Sequence, residues 1–417
     1  ISILVDDNEY KGVLRAVNNL RDDFNKVTGN YLKTEGTNKS IIIGTVNTSA
    51  LIDQLIKKGK INSNEIIGKN EKYIITNVIN PIAGIEEAIV IAGSDKRGTI
   101  YGVYELSAQI GVSPWYYWAD VPIKTHKNLY FKPGFYTEGE PAVTYRGIFL
   151  NDEWPALGGW AQATFGGFNS QFYEKVFELI LRLKGNFLWP AMWNSAFYDD
   201  DQLNGPLADE YGIIMSTSHH EPMSQAQKDW HRRGKGEWDY NTNSDVLKEF
   251  WKAGIERSKD WEQVITIGMR GDGDEAMEEG TNIALLERIV KDQREIISQV
   301  TGKKVEEVPQ VWALYKEVQD YYDHGMRVPD DVTLLFCDDN WGNVRKLPNL
   351  KHKKRKGGYG MYYHFDYVGA PRNSKWINVS QVQRIWEQMN LTYRYGVDRI
   401  WVVNVGDLKP MEYPISF

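Results

Sequence analysis

Along the first part of the chain, short apolar runs alternate with amphipathic stretches. Between positions 11 and 28, Val13, Val17, Leu20, Phe24 and Val27 recur every three or four residues, which puts them on one face of a helix. The isoleucines at 41–43 read as a buried strand, and 73–79 and 88–92 read as two more. The last of these runs into Gly93-Ser94-Asp95-Lys96-Arg97-Gly98, which opens another helix. That turn has neither the GxGxxG nor the Walker spacing, so it is expected to be a plain strand-to-helix connection rather than a phosphate loop. Residues 1–140 are therefore expected to form a small N-terminal α/β domain.

After Pro133-Gly134 and Pro141 the pattern changes to strands with polar or acidic residues at their C-terminal ends, mostly separated by helical segments. Eight strands are predicted, at 145–150, 187–191, 212–217, 264–269, 310–315, 332–337, 360–365 and 399–405. The clearest helices between them are at 171–184, 245–258, 282–300 and 379–395, each with apolar residues at helical spacing. Repeated βα units favour right-handed crossovers and a parallel sheet, so residues 141–417 are expected to form a (β/α)8 TIM-like barrel. The sequence stops about ten residues after the eighth strand, which leaves no room for a full eighth helix; the barrel is expected to be truncated there. No internal repeat or low-complexity tract is evident.

A parallel barrel carries its active site at the C-terminal ends of its strands. Here strand one ends in Asn151-Asp152-Glu153-Trp154, strand two leads into Trp189, Trp193 and Asn194, and strand three ends in Ser216-Thr217-Ser218-His219-His220-Glu221. Strand four runs into Arg270-Gly271-Asp272-Gly273-Asp274-Glu275, five into Lys316-Glu317, and six into Asp338-Asp339-Asn340. Strand seven gives His364, Asp366 and Tyr367, and strand eight gives Asn404 and Asp407. Acidic groups converging on one rim repel each other and raise some of their pKa values, which is what a general acid requires. Paired carboxylates fit cleavage of a glycosidic bond, one protonating the departing oxygen and one acting as base or nucleophile. The competing reading of the rim is a set of scattered loop charges and caps. Metal chemistry through His219-His220-Glu221 and Asp338-Asp339 is the weaker alternative, because neither HExxH nor HxxEH spacing is present. Arg270 and Lys316 either grip a substrate carboxylate or neutralise the neighbouring acids. Trp154, Trp160, Trp189 and Trp193 are either a sugar platform or core packing.

Composition narrows the class further. A chain of 417 residues, 42% hydrophobic and 25% charged, can bury a sizeable core and fits two domains. The net charge of −7 argues against a nucleic-acid partner. The one basic run, Lys351-His352-Lys353-Lys354-Arg355-Lys356, reads as a solvated loop or as a device for steering an acidic substrate. Cys337 is the only cysteine, so neither an intramolecular disulfide nor a cysteine-based zinc site is available. No stretch approaches the ~18 apolar residues of a membrane span, and the opening ISILVDDNEY has no signal-peptide pattern.

Several strand ends carry long, distinctive motifs: YRGIFLNDEW at 145–154, NFLWPAMW at 186–193, STSHHEPM at 216–223, GMRGDGDEAM at 268–277, FCDDNWGNVR at 336–345 and YYHFDY at 362–367. Together they closely resemble the family-115 glycoside hydrolases, the xylan α-1,2-glucuronidases. The segment IAGSDKRGTIYGVYELS at 91–107 also resembles the α/β domain that precedes the barrel in related uronidases and hexosaminidases. The resemblance implies removal of D-glucuronic acid, often 4-O-methylated, from the O2 of xylose in glucuronoxylan or a related uronic-acid-bearing polysaccharide. It implies inversion, no metal or other cofactor, and a secreted or periplasmic protein whose export signal has been removed. It also implies a parent that continues into helical and β domains and forms a homodimer. By the same resemblance Asp152, His219, Arg270, Asp274, Glu317, Asp338, Asn340, His364, Tyr367 and Asn404 would line the pocket. Asp274 is then expected to be the general acid and Asp338 the base activating water, with Glu317 able to replace either. Two rival readings remain: a barrel hydrolase resembling an N-acetylhexosaminidase, using the adjacent Asp338-Asp339, and a non-catalytic glycan-binding protein.

Overall fold

The computed structural model describes residues 1–34, 37–277, 282–351, 353–369 and 377–417; His352 of the basic run lies outside the described residues. The chain divides into two compact units, one of residues 1–142, 177–186 and 210–212, the other of residues 143–176, 187–209 and 213–417.

The first unit is built on strands β1 (Ser2–Val5), β2 (Lys39–Thr45), β3 (Tyr73–Ile79), β4 (Glu87–Gly93) and β5 (Phe135–Tyr136), in the order β1-β2-β4-β3-β5. β1, β2 and β4 run parallel, whereas β3 is antiparallel to β4 and β5. The helix at Lys11–Thr28 buries Val13, Val17, Leu20, Phe24 and Val27, the face expected from their spacing. It stops at Gly29, whose φ of 71° needs no Cβ and whose N–H reaches Asn25 O at 2.8 Å. Ile42, Ile52, Leu55, Ile74 and Val90 lie at the centre of an all-apolar cluster. The turn after β4 is a plain connection: the Asp95 carboxylate caps the helix Lys96–Gln109 through Gly98 N at 2.8 Å and also accepts Glu71 N at 2.7 Å. An anion is thus already built into that helix N-terminus. β1 and the helix Ala50–Lys57 were not anticipated from the sequence; β1 is only four residues long, too short for a periodicity to show.

The second unit carries β6 (Tyr145–Leu150), β7 (Phe187–Pro190), β8 (Ile214–Met215), β9 (Ile265–Thr266), β10 (Gln310–Ala313), β11 (Thr333–Cys337), β12 (Tyr359–His364) and β13 (Ile400–Asn404). They form one curled, eight-stranded parallel sheet in the order β8-β7-β6-β13-β12-β11-β10-β9. A parallel bridge from Met215 to Gln263, with Val264 N donating to Met215 O at 3.0 Å, links the ends of that order. Alternate residues fill the interior, among them Phe149, Trp189, Ala313, Tyr315, Leu335, Cys337, Tyr362 and Val402. Gly147 is obligatory for β6 to lie against β7, since a Cβ there would sit 1.7 Å from Phe187 O. The third and fourth strands are shorter than the sequence suggests, because their last residues leave the ladder to form the rim. The helix Ala156–Phe165 after β6 is an addition to the simple βα repeat. Among the described residues no helix is long and apolar enough to cross a membrane.

Candidate active site

The segments leaving the C-terminal ends of the second unit's strands are conformationally unusual. Met192 after β7, Asp274 after β9, Lys316 after β10 and Asn340 after β11 all have positive φ, between 49° and 70°, although none is glycine. Such conformations cost about 1–3 kcal/mol each and persist only where the surroundings enforce them, commonly at functional sites. Such residues occur elsewhere in the chain too, but these four fall on the rim singled out by its polar sequence.

At the centre lies Arg270, 2% exposed. Its Nε and Nη2 donate to Glu317 Oε1 and Oε2 at 2.9 and 2.8 Å, a bidentate pair. Its Nη1 contacts the Asp274 carboxylate and donates to Asp274 O at 2.5 Å. Lys316 Nζ lies 3.5 Å from Asp274 Oδ2 and 5.2 Å from the centre of the Tyr315 ring. Two cations therefore face two carboxylates, and the group is electrically balanced. Asp274 Oδ1 is also 3.0 Å from His219 Nε2, while His219 Nδ1 is buried without a hydrogen-bond partner. Burial, reinforced by Arg270 and Lys316, holds His219 well below the usual imidazole pKa. Burial followed by His219 and Arg270 does the same to His220, so both rings are neutral. A neutral His219 donates from Nε2 to the carboxylate, leaving Nδ1 as an acceptor.

Asp338, expected as the base, is turned into the protein: it is 2% exposed and accepts Asn340 N, Gly342 N and His364 N at 3.0, 3.1 and 2.9 Å. Its Oδ1 also lies 2.6 Å from His364 Nδ1. With four donors on its two oxygens and its side chain fully buried, it has no free face for a water, and its place is behind His364. The neighbouring Asp339 accepts Trp341 N and Asn343 N, both at 3.0 Å. Burial opposes its ionisation, but the Asn343 side chain and backbone donors outweigh it and hold the carboxyl below the usual range. The adjacent pair required by the hexosaminidase-like reading is thus spent on holding its own turn. Asp152 is likewise not open to a ligand: it is 0% exposed and accepts Tyr173 Oη, Met192 N and Ser195 Oγ at 2.7, 2.8 and 2.8 Å. Burial pushes its carboxyl up to about 6. Asn404 is buried, donating to Tyr362 Oη at 3.2 Å and accepting Gly406 N at 3.0 Å.

His364, Asn340 and Tyr367 line a cavity of about 260 Å³ that also includes Trp341, Ser380 and Arg384. Tyr367 meets Trp341 and His364 edge-on at 5.7 and 5.8 Å. Asn340 Oδ1 is buried with no hydrogen-bond partner. Of the four tryptophans considered as a platform, Trp189 is core, Trp160 packs edge-on against Phe165 and Phe172, and Trp154 and Trp193 are exposed. Glu153, not singled out from the sequence, has its carboxyl pushed up to about 7 by burial, with Asp152 and Asp407 adding to the shift. Its signal was the acid next to Asp152, but its burial depends on how the loop folds back. Among the described residues, His219, His220 and Asp274 offer metal-ligand atoms within 4.8 Å of one another. Arg270 and Lys316 place positive charge on the same carboxylate, which disfavours a cation there.

Comparison with known proteins identifies the family. The pattern of glycosyl hydrolase family 115 matches residues 138–417. A solved structure described as a novel family GH115 4-O-methyl-alpha-glucuronidase, BtGH115A, with specificity for decorated arabinogalactans, is 34% identical over 100% of the chain, with a TM-score of 0.91. The present chain spans 55% of that protein's length. A second structure, described as a GH138 enzyme targeting pectin rhamnogalacturonan II, is 13% identical over 96% of the chain and 46% of its own, with a TM-score of 0.55, and shares the fold alone. No curated protein matches the chain. With most of its length matched by the family pattern and all of it aligned to a family structure, the chain belongs to glycosyl hydrolase family 115.

Proposed function

We propose that this chain carries the catalytic part of a glycoside hydrolase that releases α-linked D-glucuronic acid, with or without a 4-O-methyl group, from a decorated polysaccharide. The eight-stranded sheet is read as a (β/α)8 barrel closed through the Met215–Gln263 bridge. The single observation that carries the functional reading is Arg270, buried between Asp274 and Glu317 and accompanied by Lys316. A uronate brings a third carboxylate to this balanced group and competes for its cations. Lys316, half exposed and only loosely paired to Asp274, is the cation most easily drawn away. Asp274 then loses part of its compensating charge and takes up a proton, which makes it the general acid. Glu317, held bidentately by Arg270, serves as the base that takes a proton from water. The bond from the sugar to the departing oxygen breaks as that oxygen receives the Asp274 proton, and water adds from the opposite face, giving inversion. Asp338 fixes the His364 ring so that Nε2 is available to a sugar hydroxyl.

The polymer is glucuronoxylan by resemblance of the strand-end motifs, whereas the similar structure is described as specific for decorated arabinogalactans. Either substrate presents the same terminal uronate to this cluster, and a polysaccharide substrate favours a secreted or periplasmic setting. Incubation of the full-length protein with both polymers, followed by product analysis, tests the reading. Release of free glucuronic acid as the β-anomer, seen first by proton NMR, is expected. Release of N-acetylhexosamine, or binding with no product from either polymer, would overturn it.

A further inference from the structure

Trp193 follows Met192, whose positive φ of 60° turns the chain sharply at the end of β7. The turn is held from beneath by Asp152, which bonds both Met192 N and Ser195 Oγ and so clamps the residues on either side of Trp193 and Asn194. One face of the indole stacks on His220, with ring centres 5.2 Å apart and planes inclined by 24°. His220 Nδ1 in turn is 4.0 Å from Asp274 Oδ1. The inner face of Trp193 is therefore occupied, yet the residue remains 41% exposed beside a cluster whose other members are nearly all buried. A large apolar ring, rigidly held and left exposed beside a polar cluster, is what the C–H face of a neutral sugar ring packs against. Trp154 and Trp341, each 52% exposed, follow β6 and β11 at the same end of the sheet.

We infer that Trp193 is a specificity-determining residue that stacks the neutral backbone sugar from which the uronate is cleaved. This rests on the hydrolase reading above and adds to it the position of the acceptor. Trp193 adjoins, through His220, the Asp274 carboxylate that Arg270 and Lys316 hold, so a uronate placed against those cations directs its neighbouring ring toward Trp193. Asp152 acts through Trp193 as a positioning residue, by fixing the turn that presents it.

The test compares two substrates in the full-length protein: α-D-glucuronyl fluoride, which has no acceptor ring, and an oligosaccharide carrying one glucuronic acid branch. Trp193→Ala is expected to lower kcat/KM on the oligosaccharide by about tenfold or more, mainly through KM, the scale of removing an aromatic anchor. Fluoride hydrolysis is expected to stay within about twofold, and Trp193→Phe to recover most of the oligosaccharide activity. Parallel losses on both substrates would assign Trp193 to support of the His220 pocket and overturn the inference, as would no loss on either. A wild-type protein inert to both substrates would instead sink the hydrolase reading itself.

Discussion

The Asp338 carboxylate lies 2.6 Å from His364 Nδ1 and accepts the backbone N–H of the same residue at 2.9 Å. The acid at the end of β11 is thereby an orienting group for the histidine at the end of β12, in the manner of the buried aspartate that fixes a catalytic imidazole. Asp338→Asn should leave the fold intact but disturb the tautomer and hydrogen bonding of His364, lowering kcat by roughly 100-fold, the upper scale for loss of a partner that orients a histidine. Asp338→Gly should not regain activity in formate or azide, because no water-activating base has been removed. Clear rescue by either anion would return Asp338 to the role of base.

The acid and base can be separated by leaving group. Fluoride departs without protonation, so Asp274→Ala should retain hydrolysis of α-D-glucuronyl fluoride to within about tenfold while losing roughly 100-fold or more on an oligosaccharide. Glu317→Ala should lose activity on both. The opposite pattern would exchange the two assignments, and equal losses in both variants on both substrates would refute the pairing.

Glu153 makes folding depend on pH. Its folded value of about 7 stands above the ordinary 4.5, so the folded state holds the proton more tightly than the unfolded chain does. The associated stability is fully present below about pH 4.5 and is lost as pH rises through 7. Glu153→Gln should therefore be more stable than wild type at pH 8 by about 1–3 kcal/mol, with the difference vanishing near pH 4. Denaturant melts of both proteins at the two pH values measure this; a difference independent of pH would contradict the raised pKa.

Gly147→Ala probes the sheet that carries the site. The new methyl would overlap Phe187 O at 1.7 Å, a backbone atom that cannot move without disturbing the β6–β7 ladder. A loss of about 2–3 kcal/mol, read as a lower Tm, is expected. An unchanged Tm would mean that the two strands are not so closely paired.

Much of the scaffold was legible because it depends on local periodicity. The first helix, β3 and β6 fall on the residues their patterns indicate, and the remaining predicted strands of the second unit are recovered with ends a few residues different. Those ends differ because residues such as Thr217 and Met269 continue the apolar or β-forming pattern while no longer in the ladder. The site was less legible. Asp274 and Glu317 are brought to one guanidinium, but Asp152, Asp338 and Asn404 turn inward. Part of this was open to reading: an aspartate in a turn commonly accepts the backbone N–H two residues on, as Asp338 accepts that of Asn340. The bond from Asp338 to His364 spans 26 residues and had no local signal.

The sequence by itself determined that strands and helices alternate, that the strands of the second unit end in acids, histidines and tryptophans, and that the motifs are those of family 115. These properties reside in short stretches, where side-chain spacing and residue type suffice. Only the tertiary structure decided which carboxylates meet a shared cation and which are consumed by backbone N–H groups. It also decided which tryptophans are core and which present an open face. A carboxylate's chemistry depends on the donors, charges and solvent around it, and these come from segments far apart in the chain.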